Sequence, residues 1–419
     1  MSAEHQIVVV LTGQFGAGCT TVAEFLKREE GFRYYGFSEI IKAAARERLG
    51  AGAYDQLEPV ERRRVLQDQG NILRKDDPRA VANQIIAEIR DKADEGGDLV
   101  VEAVRNPAEI DAFRERFGDR AFVVALDTPL AERFERSRRE YGDRLERFKE
   151  DDARDKGEGE PEHGQRTQEC VYLADISINN HGHMDSHRDW NRFFVNILDY
   201  LRLMREPAFR PPTYPELYMR QAYAVSLKST CTKRQVGAVL VRDESYVIAT
   251  GYNDVAIGEP TCREMGPPGN TRFCPKDDEE EQKLSAMRYC PKCGNELPLS
   301  PGRVRPFTCS NCEARLPRDF VPGRMLDVCR AVHAEEAAIV QAAKLGSTSL
   351  AGATLYSTTF PCLLCAKSII NAGIKRVVYH EPYPMDDSMA MLKRCGLTLD
   401  KYEGVNAWAF DRMFKGTLD

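Results

Sequence analysis

The 419-residue sequence has no apolar run approaching the about eighteen residues that a membrane-spanning helix needs. Its first residues, MSAEHQ, carry no basic cluster, and the apolar stretch after them is too short for a secretory signal, so a chain that stays in the cytoplasm is expected. Positive charge is not in excess either. Against 65 Asp and Glu stand 59 Lys and Arg, a net charge of −6, so no global field draws the chain to nucleic acid. No stripe of interleaved aromatic and basic residues offers a single-strand binding surface. Small anionic ligands therefore need specific pockets. No internal repeat is evident, and histidine is scarce: in the C-terminal half only His333 and His380 are present.

What is present is enough chain for two or three domains with real cores, at 42% hydrophobic and 30% charged residues. There are 13 cysteines, an odd number, and six of them form three C-x-x-C pairs. Without an export signal, that pattern reads as metal ligation in a reducing compartment rather than a disulfide framework.

Residues 1–185 alternate strand-like and helical stretches. IVVVLT (Ile7 to Thr12) is a continuous apolar run of the kind buried on both faces of a parallel sheet. DLVVEAV (Asp98 to Val104), AFVVALD (Ala121 to Asp127) and ADISIN (Ala174 to Asn179) follow, separated by helical sequence. This predicts a three-layer α/β domain. The highly charged stretch from about Glu132 to Arg166 is expected to be mobile. Residues 186–212 read as an amphipathic helix and a linker, where EPAFRPPTYPE places four prolines in eleven residues. Residues 213–419 form a second α/β unit. It comprises a helix, a hairpin (VGAVLVRD and SYVIATGY), an insertion over about 258–322, and then alternating helices and strands.

In this second unit His333-Ala334-Glu335 is followed, after twenty-five residues, by Pro361-Cys362-Leu363-Leu364-Cys365. The spacing is that of zinc deaminases, H-x-E then P-C-x-x-C. Two cysteines three apart at a helix start face the same way, and the positive end of that helix favours the thiolate, which is the ligating form. His333 supplies a third ligand and leaves the fourth tetrahedral position open, as in catalytic zinc sites. Zinc makes water acidic, and Glu335 can carry protons to the ring nitrogen and the departing amine.

The segment from Glu216 to Leu399 resembles deoxycytidylate deaminases of the cytidine deaminase superfamily. The resemblance is carried by QVGAVLV (Gln235 to Val241), TGYN (Thr250 to Asn253), HAEEAAI (His333 to Ile339), TTFPCLLCAKSIINAGIKRVVY (Thr358 to Tyr379) and the following PYP. It implies that Asn253 holds the deoxyribose or base and that Tyr383 packs near the substrate. Two positions depart from that pattern: Asp254 stands where GYNG has glycine, and Ala337 where an asparagine is usual.

Within the insertion, Cys290-Pro291-Lys292-Cys293 and Cys309-Ser310-Asn311-Cys312 are fifteen residues apart, a spacing that predicts a closed four-cysteine structural zinc ribbon. Gly294 permits the tight turn of the first knuckle. Cys262, Cys274 and Cys329 are left as buried thiols or ligands of a further site.

In the first unit Gly13-Gln14-Phe15-Gly16-Ala17-Gly18-Cys19-Thr20 follows the first strand and opens a helix. That is the context of a phosphate-binding P-loop, with Cys19 in place of its lysine. Loss of the lysine argues against phosphoryl transfer while leaving nucleotide binding, with Mg2+, through the loop and Thr20. Val104-Arg105-Asn106-Pro107 resembles the arginine-bearing segment of nucleoside monophosphate kinase-like proteins, which makes Arg105 a phosphate contact, and Arg136 to Arg144 resembles their lid.

A degenerate kinase-like domain fused to a deoxycytidylate deaminase resembles the bacterial antiphage deoxycytidine nucleotide deaminases. The resemblance implies conversion of dCTP, and often dCMP, to the uracil forms, an oligomeric assembly, and inactivity until infection under an RNA or protein inhibitor. Two alternatives stand beside it: a housekeeping dCMP deaminase supplying dUMP under nucleotide control, and a nucleic-acid-binding or editing deaminase.

Overall fold

The computed structural model describes residues 6–182, 187–267, 269–297, 308–315, 329–346, 349–382 and 386–415. The fold is mixed α/β, as the alternation of strand and helix patterns predicts. The chain forms two compact units, Met1–Leu217 with Lys401–Asp419, and Tyr218–Asp400.

The first unit is built on the strands β1 (Val8–Thr12), β2 (Arg33–Gly36), β3 (Leu99–Val104), β4 (Ala121–Asp127) and β5 (Ile176–Asn179). Every residue of β1 is buried because helices cover both faces. Val9 and Leu11 pack into one core, and Val8 and Val10 into another on the opposite face. Strand order is β5-β4-β1-β3-β2, all parallel. A short β13 (Gly404–Val405) adds antiparallel to β5. Hence the division differs from one ending at residue 185: the C-terminal stretch returns to this unit, where Val405, Ala409 and Met413 bury beside β1 residues. The RYYG of β2 is too short and too polar to announce a strand by periodicity.

The stretch over 132–166 is a correction to the expected mobility. It contains helices at Leu130–Arg136, Arg138–Tyr141 and Leu145–Lys156. Phe134, Tyr141 and Phe148 bury against Phe15 and Val60, a cluster hidden from sequence because the intervening residues are nearly all charged. The last helix also buries Asp151, Asp152 and Asp155. Each carboxylate meets a cation from a different element: Arg64, Arg133 and Arg105.

The second unit has a five-stranded sheet in the order β12 (Thr398–Lys401), β11 (Arg376–Glu381), β10 (Thr354–Thr359), β6 (Gly237–Arg242) and β7 (Tyr246–Tyr252). Strands β6 and β7 pair antiparallel, as the hairpin pattern predicts, while β10 and β11 are parallel. A two-stranded pair, β8 (Asp254–Val255) with β9 (Ala331–Val332), leads into the helix Ala334–Leu345. That helix lies directly on β7 at Gly251, where a Cβ would come within 2.2 Å of the Ala334 carbonyl oxygen. Only glycine admits so close an approach. Among the described residues no helix is long and apolar enough to cross a membrane.

Candidate active site

His333 and Cys362 are both helix N-caps, of Ala334–Leu345 and Leu363–Asn371. The positive ends of two helices therefore converge on one point, a setting that favours thiolate and carboxylate. His333 Nδ1 lies 3.2 Å from Cys362 Sγ and 3.3 Å from Cys365 Sγ. Tetrahedral zinc at ordinary bond lengths would hold such atoms roughly 3.6 Å apart, so the three donors fit that ion after a shift of a few tenths of an ångström. Cys362 and Cys365 are buried and His333 half-buried. Ser388 Oγ donates to the Pro361 carbonyl at 2.7 Å and pins the turn before Cys362.

Electrostatics agree with the donor chemistry. Hydrogen bonding from Cys365 and then His333 brings the Cys362 thiol down to about 4. Bonding to Cys329 and Cys362 pushes the His333 imidazole up to about 11. A thiolate beside a cation is the charge separation that a divalent metal replaces. Glu335 sits one step inside the helix, 4% exposed, with its Oε1 3.4 Å from Ser357 Oγ. Burial raises its carboxyl above the ordinary value. A buried carboxyl beside the three donors is placed to take up and give back a proton, as acid–base catalysis needs.

The other expected site residues fare differently. Asn253 spends its amide on the main chain: Nδ2 donates to the Arg234 carbonyl at 2.8 Å and Oδ1 accepts from Val236 N–H at 2.7 Å. It thus fixes the entry to β6 and keeps one N–H for anything else. Asp254 accepts from Thr230 Oγ1 and Val255 N–H. Tyr383 lies outside the described residues.

Cys290, Cys293, Cys309 and Cys312 come together, all four sulfurs within 4.8 Å of one another. Each pair sits in a small hairpin, closed by bridges Tyr289–Glu296 and Thr308–Arg315. Asn311 N–H points at Cys309 Sγ at 3.4 Å, and Asn311 Nδ2 at Cys293 Sγ at 3.6 Å. These bonds support thiolates, and no position is left open, so the donors fit a closed tetrahedral ion. Among the described residues Cys262, Cys274 and Cys329 close no such cluster. Spacing alone gave no sign that Cys329 reaches His333.

In the first unit the loop between β1 and the helix Cys19–Glu29 holds Gly16 and Gly18 at positive φ. Gly18 has φ +108, and a Cβ there would fall 2.5 Å from Asn180 Nδ2. Cys19 is buried, and burial pushes its thiol up to about 12; a neutral group thus replaces the usual cation. Thr20 Oγ1 donates to Glu102 on β3, which also accepts from Tyr34. Arg105 is paired with Asp155, a partner the sequence did not suggest. Glu109 holds this segment, accepting from the Arg105 and Asn106 N–H groups at 3.1 Å and pairing with fully buried Arg74 at 2.6 Å.

Fold and sites together define a two-unit α/β protein, P-loop-like in its first unit and cytidine deaminase-like in its second. Residues 212–381 match the cytidine and deoxycytidylate deaminase zinc-binding region, and residues 9–157 match an AAA domain. The deoxycytidylate deaminase of Enterobacteria phage T4 is 33% identical over 168 residues, 39% of this chain and 75% of the phage protein. That of Mycobacterium phage D29 is 30% identical over 168 residues, 40% of this chain and 94% of its own. The chain belongs to the deoxycytidylate deaminase family. The Schizosaccharomyces pombe deoxycytidylate deaminase is 32% identical over 233 residues, 55% of this chain and 54% of the yeast protein. The chain thus spans about half the length of the yeast relatives it matches.

Proposed function

We propose that the protein hydrolyses the exocyclic amine of a deoxycytidine nucleotide, releasing ammonia and the uracil nucleotide. The observation that carries this reading is the convergence of His333 Nδ1, Cys362 Sγ and Cys365 Sγ beside buried Glu335. Zinc held by those three residues would supply the Lewis acidity that makes water nucleophilic near neutral pH. Glu335 takes the proton from that water as its oxygen adds to C4, and delivers it to ring N3. It then takes the proton of the new C4 hydroxyl and gives it to the amine, so that C4=O forms as the C4–N bond breaks and ammonia leaves. Ser357 steadies the carboxylate. Asn253 acts chiefly by positioning, with Tyr383 against the base. Cys290, Cys293, Cys309 and Cys312 would hold a second, structural zinc.

We read dCTP as well as dCMP as substrates, and the role as depletion of deoxycytidine nucleotides in antiphage defence by an oligomeric enzyme. The pairing of a phosphate-loop unit with the deaminase unit supports this reading. The first unit binds a regulatory nucleotide, for which Thr20 and Glu102 would hold Mg2+, and transfers no phosphoryl group. To test the reading, the zinc-loaded protein is given dCMP, dCTP, CMP, CTP and a single-stranded oligonucleotide, with and without added NTPs, and the uracil products are resolved. Failure to deaminate any free deoxycytidine nucleotide would refute it. Turnover of dCMP alone would replace defence by dUMP supply.

A further inference from the structure

The first unit contains a cavity of about 430 Å3 whose lining includes Lys42, Arg62, Arg63, Gln67, Arg105 and Asp155. Four cationic side chains face three carboxylates, counting Glu102 and Glu140. Arg63 is paired with Glu140 at 2.6 Å and Arg105 with Asp155. Among the described residues Lys42 and Arg62 have no carboxylate partner; Arg62 donates to the carbonyls of Asp55 and Leu57. The lining thus keeps positive charge in hand. Gln67, on the same wall, is 4% exposed, and its Oε1 is buried without a hydrogen-bond partner. A buried carbonyl left without a partner is costly, and the residue that carries it lines this cavity.

Asp155 occupies the opposite role. Its Oδ2 accepts from the Phe15 N–H of the phosphate loop at 3.1 Å, and its Oδ1 from Arg105. A loop amide and an arginine are the donors a phosphate would take, and a carboxylate of the chain already holds both. We propose that this cavity is a nucleoside monophosphate site whose phosphate seat is held by Asp155 until the ligand displaces it. The ligand phosphate takes over Phe15 N–H and Arg105 with Lys42 and Arg62 beside them, and a base N–H meets Gln67. One anion is exchanged for another, so the competitor lowers apparent affinity in proportion to the fraction of time the seat is free. Displacement also frees the last turn of the helix Leu145–Lys156, which Asp155 ties down. The proposal rests on the reading of this unit as a nucleotide-binding module.

The test is calorimetric titration of the full chain with AMP, GMP, UMP and dTMP, with inorganic phosphate and thymidine as fragments. Asp155→Asn should bind at least one monophosphate tenfold or more tighter than wild type. Gln67→Leu should weaken the monophosphate and leave inorganic phosphate unchanged, and Arg105→Gln should weaken both. Binding by wild type with no gain in Asp155→Asn overturns the competitor and leaves the nucleotide module standing. No binding by either protein overturns both. Hydrogen exchange in unmutated protein gives a second reading: the monophosphate should speed exchange at the end of Leu145–Lys156, and unchanged or slower exchange there overturns displacement.

Discussion

Replacing Glu335 by Gln separates proton transfer from everything else the site does. The amide has nearly the volume of the carboxyl, so no cavity forms. The bond it inherits, to Ser357 Oγ at 3.4 Å, is long and weak. The folding cost should stay below about 1 kcal/mol, within roughly 2–4 °C of the wild-type Tm for a unit of this size. The amide also removes a charge that burial already disfavours. Zinc content should be unchanged, since His333, Cys362 and Cys365 are the donors in reach of one another.

Turnover is another matter. A positioned acid–base group contributes about 10²–10⁴-fold, equivalent to roughly 3–5 kcal/mol of barrier. The loss should fall on kcat with KM nearly constant, because a proton in flight is stabilised only in the transition state. The assay is steady-state dCMP deamination on protein of measured zinc content. A variant with full zinc and kcat within threefold of wild type would refute Glu335 as the proton carrier. A rise in KM alone would make it a binding group.

Zinc analysis should give about two ions per chain, and Cys365→Ser and Cys309→Ser should each remove one. Cys365→Ser should abolish turnover, while Cys309→Ser should leave most of it; equal zinc in all three proteins would sink the two-site assignment. Asn253→Ala leaves the Val236 N–H and Arg234 carbonyl without their partner. At about 0.5–1.5 kcal/mol for each part-buried bond lost, urea denaturation should register a loss larger than any change in KM, and an unchanged midpoint would count against a positioning role. Asp127 is half-buried, and this desolvation alone would raise its carboxyl, but His181 and Lys401 hold it well below the usual range. A lowered folded pKa means the stabilisation is complete above the unfolded value near pH 4 and is lost as pH falls below it. Asp127→Asn should therefore destabilise fully at pH 7, with the cost shrinking progressively as pH falls from about 4 toward the lowered folded value and most of it still present at pH 3; a cost that vanished already above pH 4 would contradict the pairing.

The clustering of His333, Cys362 and Cys365 was legible because the pattern of a ligand set is local. Two cysteines three apart at a helix start can only point together, and a histidine at the next N-cap completes the set. Four cysteines in two knuckles close for the same reason. The strands buried on both faces were legible as apolar runs, and β2 and β13 were not, because each is defined by its neighbour rather than by its own side chains. Asn253 shows a subtler limit. Its motif marks a position held in common, whereas the bonds its amide makes to Arg234 and Val236 place it in the backbone of the site.

The charged stretch over 132–166 shows why charge density is a poor guide to mobility. Unpaired charges on a helix belong in water, and from sequence each of its acids has many possible partners. In the fold, Asp151, Asp152 and Asp155 are all at 1% exposure. Burial that deep is tolerable only if each carboxylate is met, and each is, by Arg64, Arg133 and Arg105 from three separate elements. Breaking one such pair strands a charge, so the helix is anchored by the residues that made it look solvated. The same logic distinguishes Asp155 from its two neighbours. Arg133 also donates to the Phe15 carbonyl and Tyr141 donates to Asp151, bonds that fasten helix to helix and helix to loop. Asp155 instead reaches the Phe15 N–H, the one contact among the three that a phosphate could take over without leaving an arginine alone.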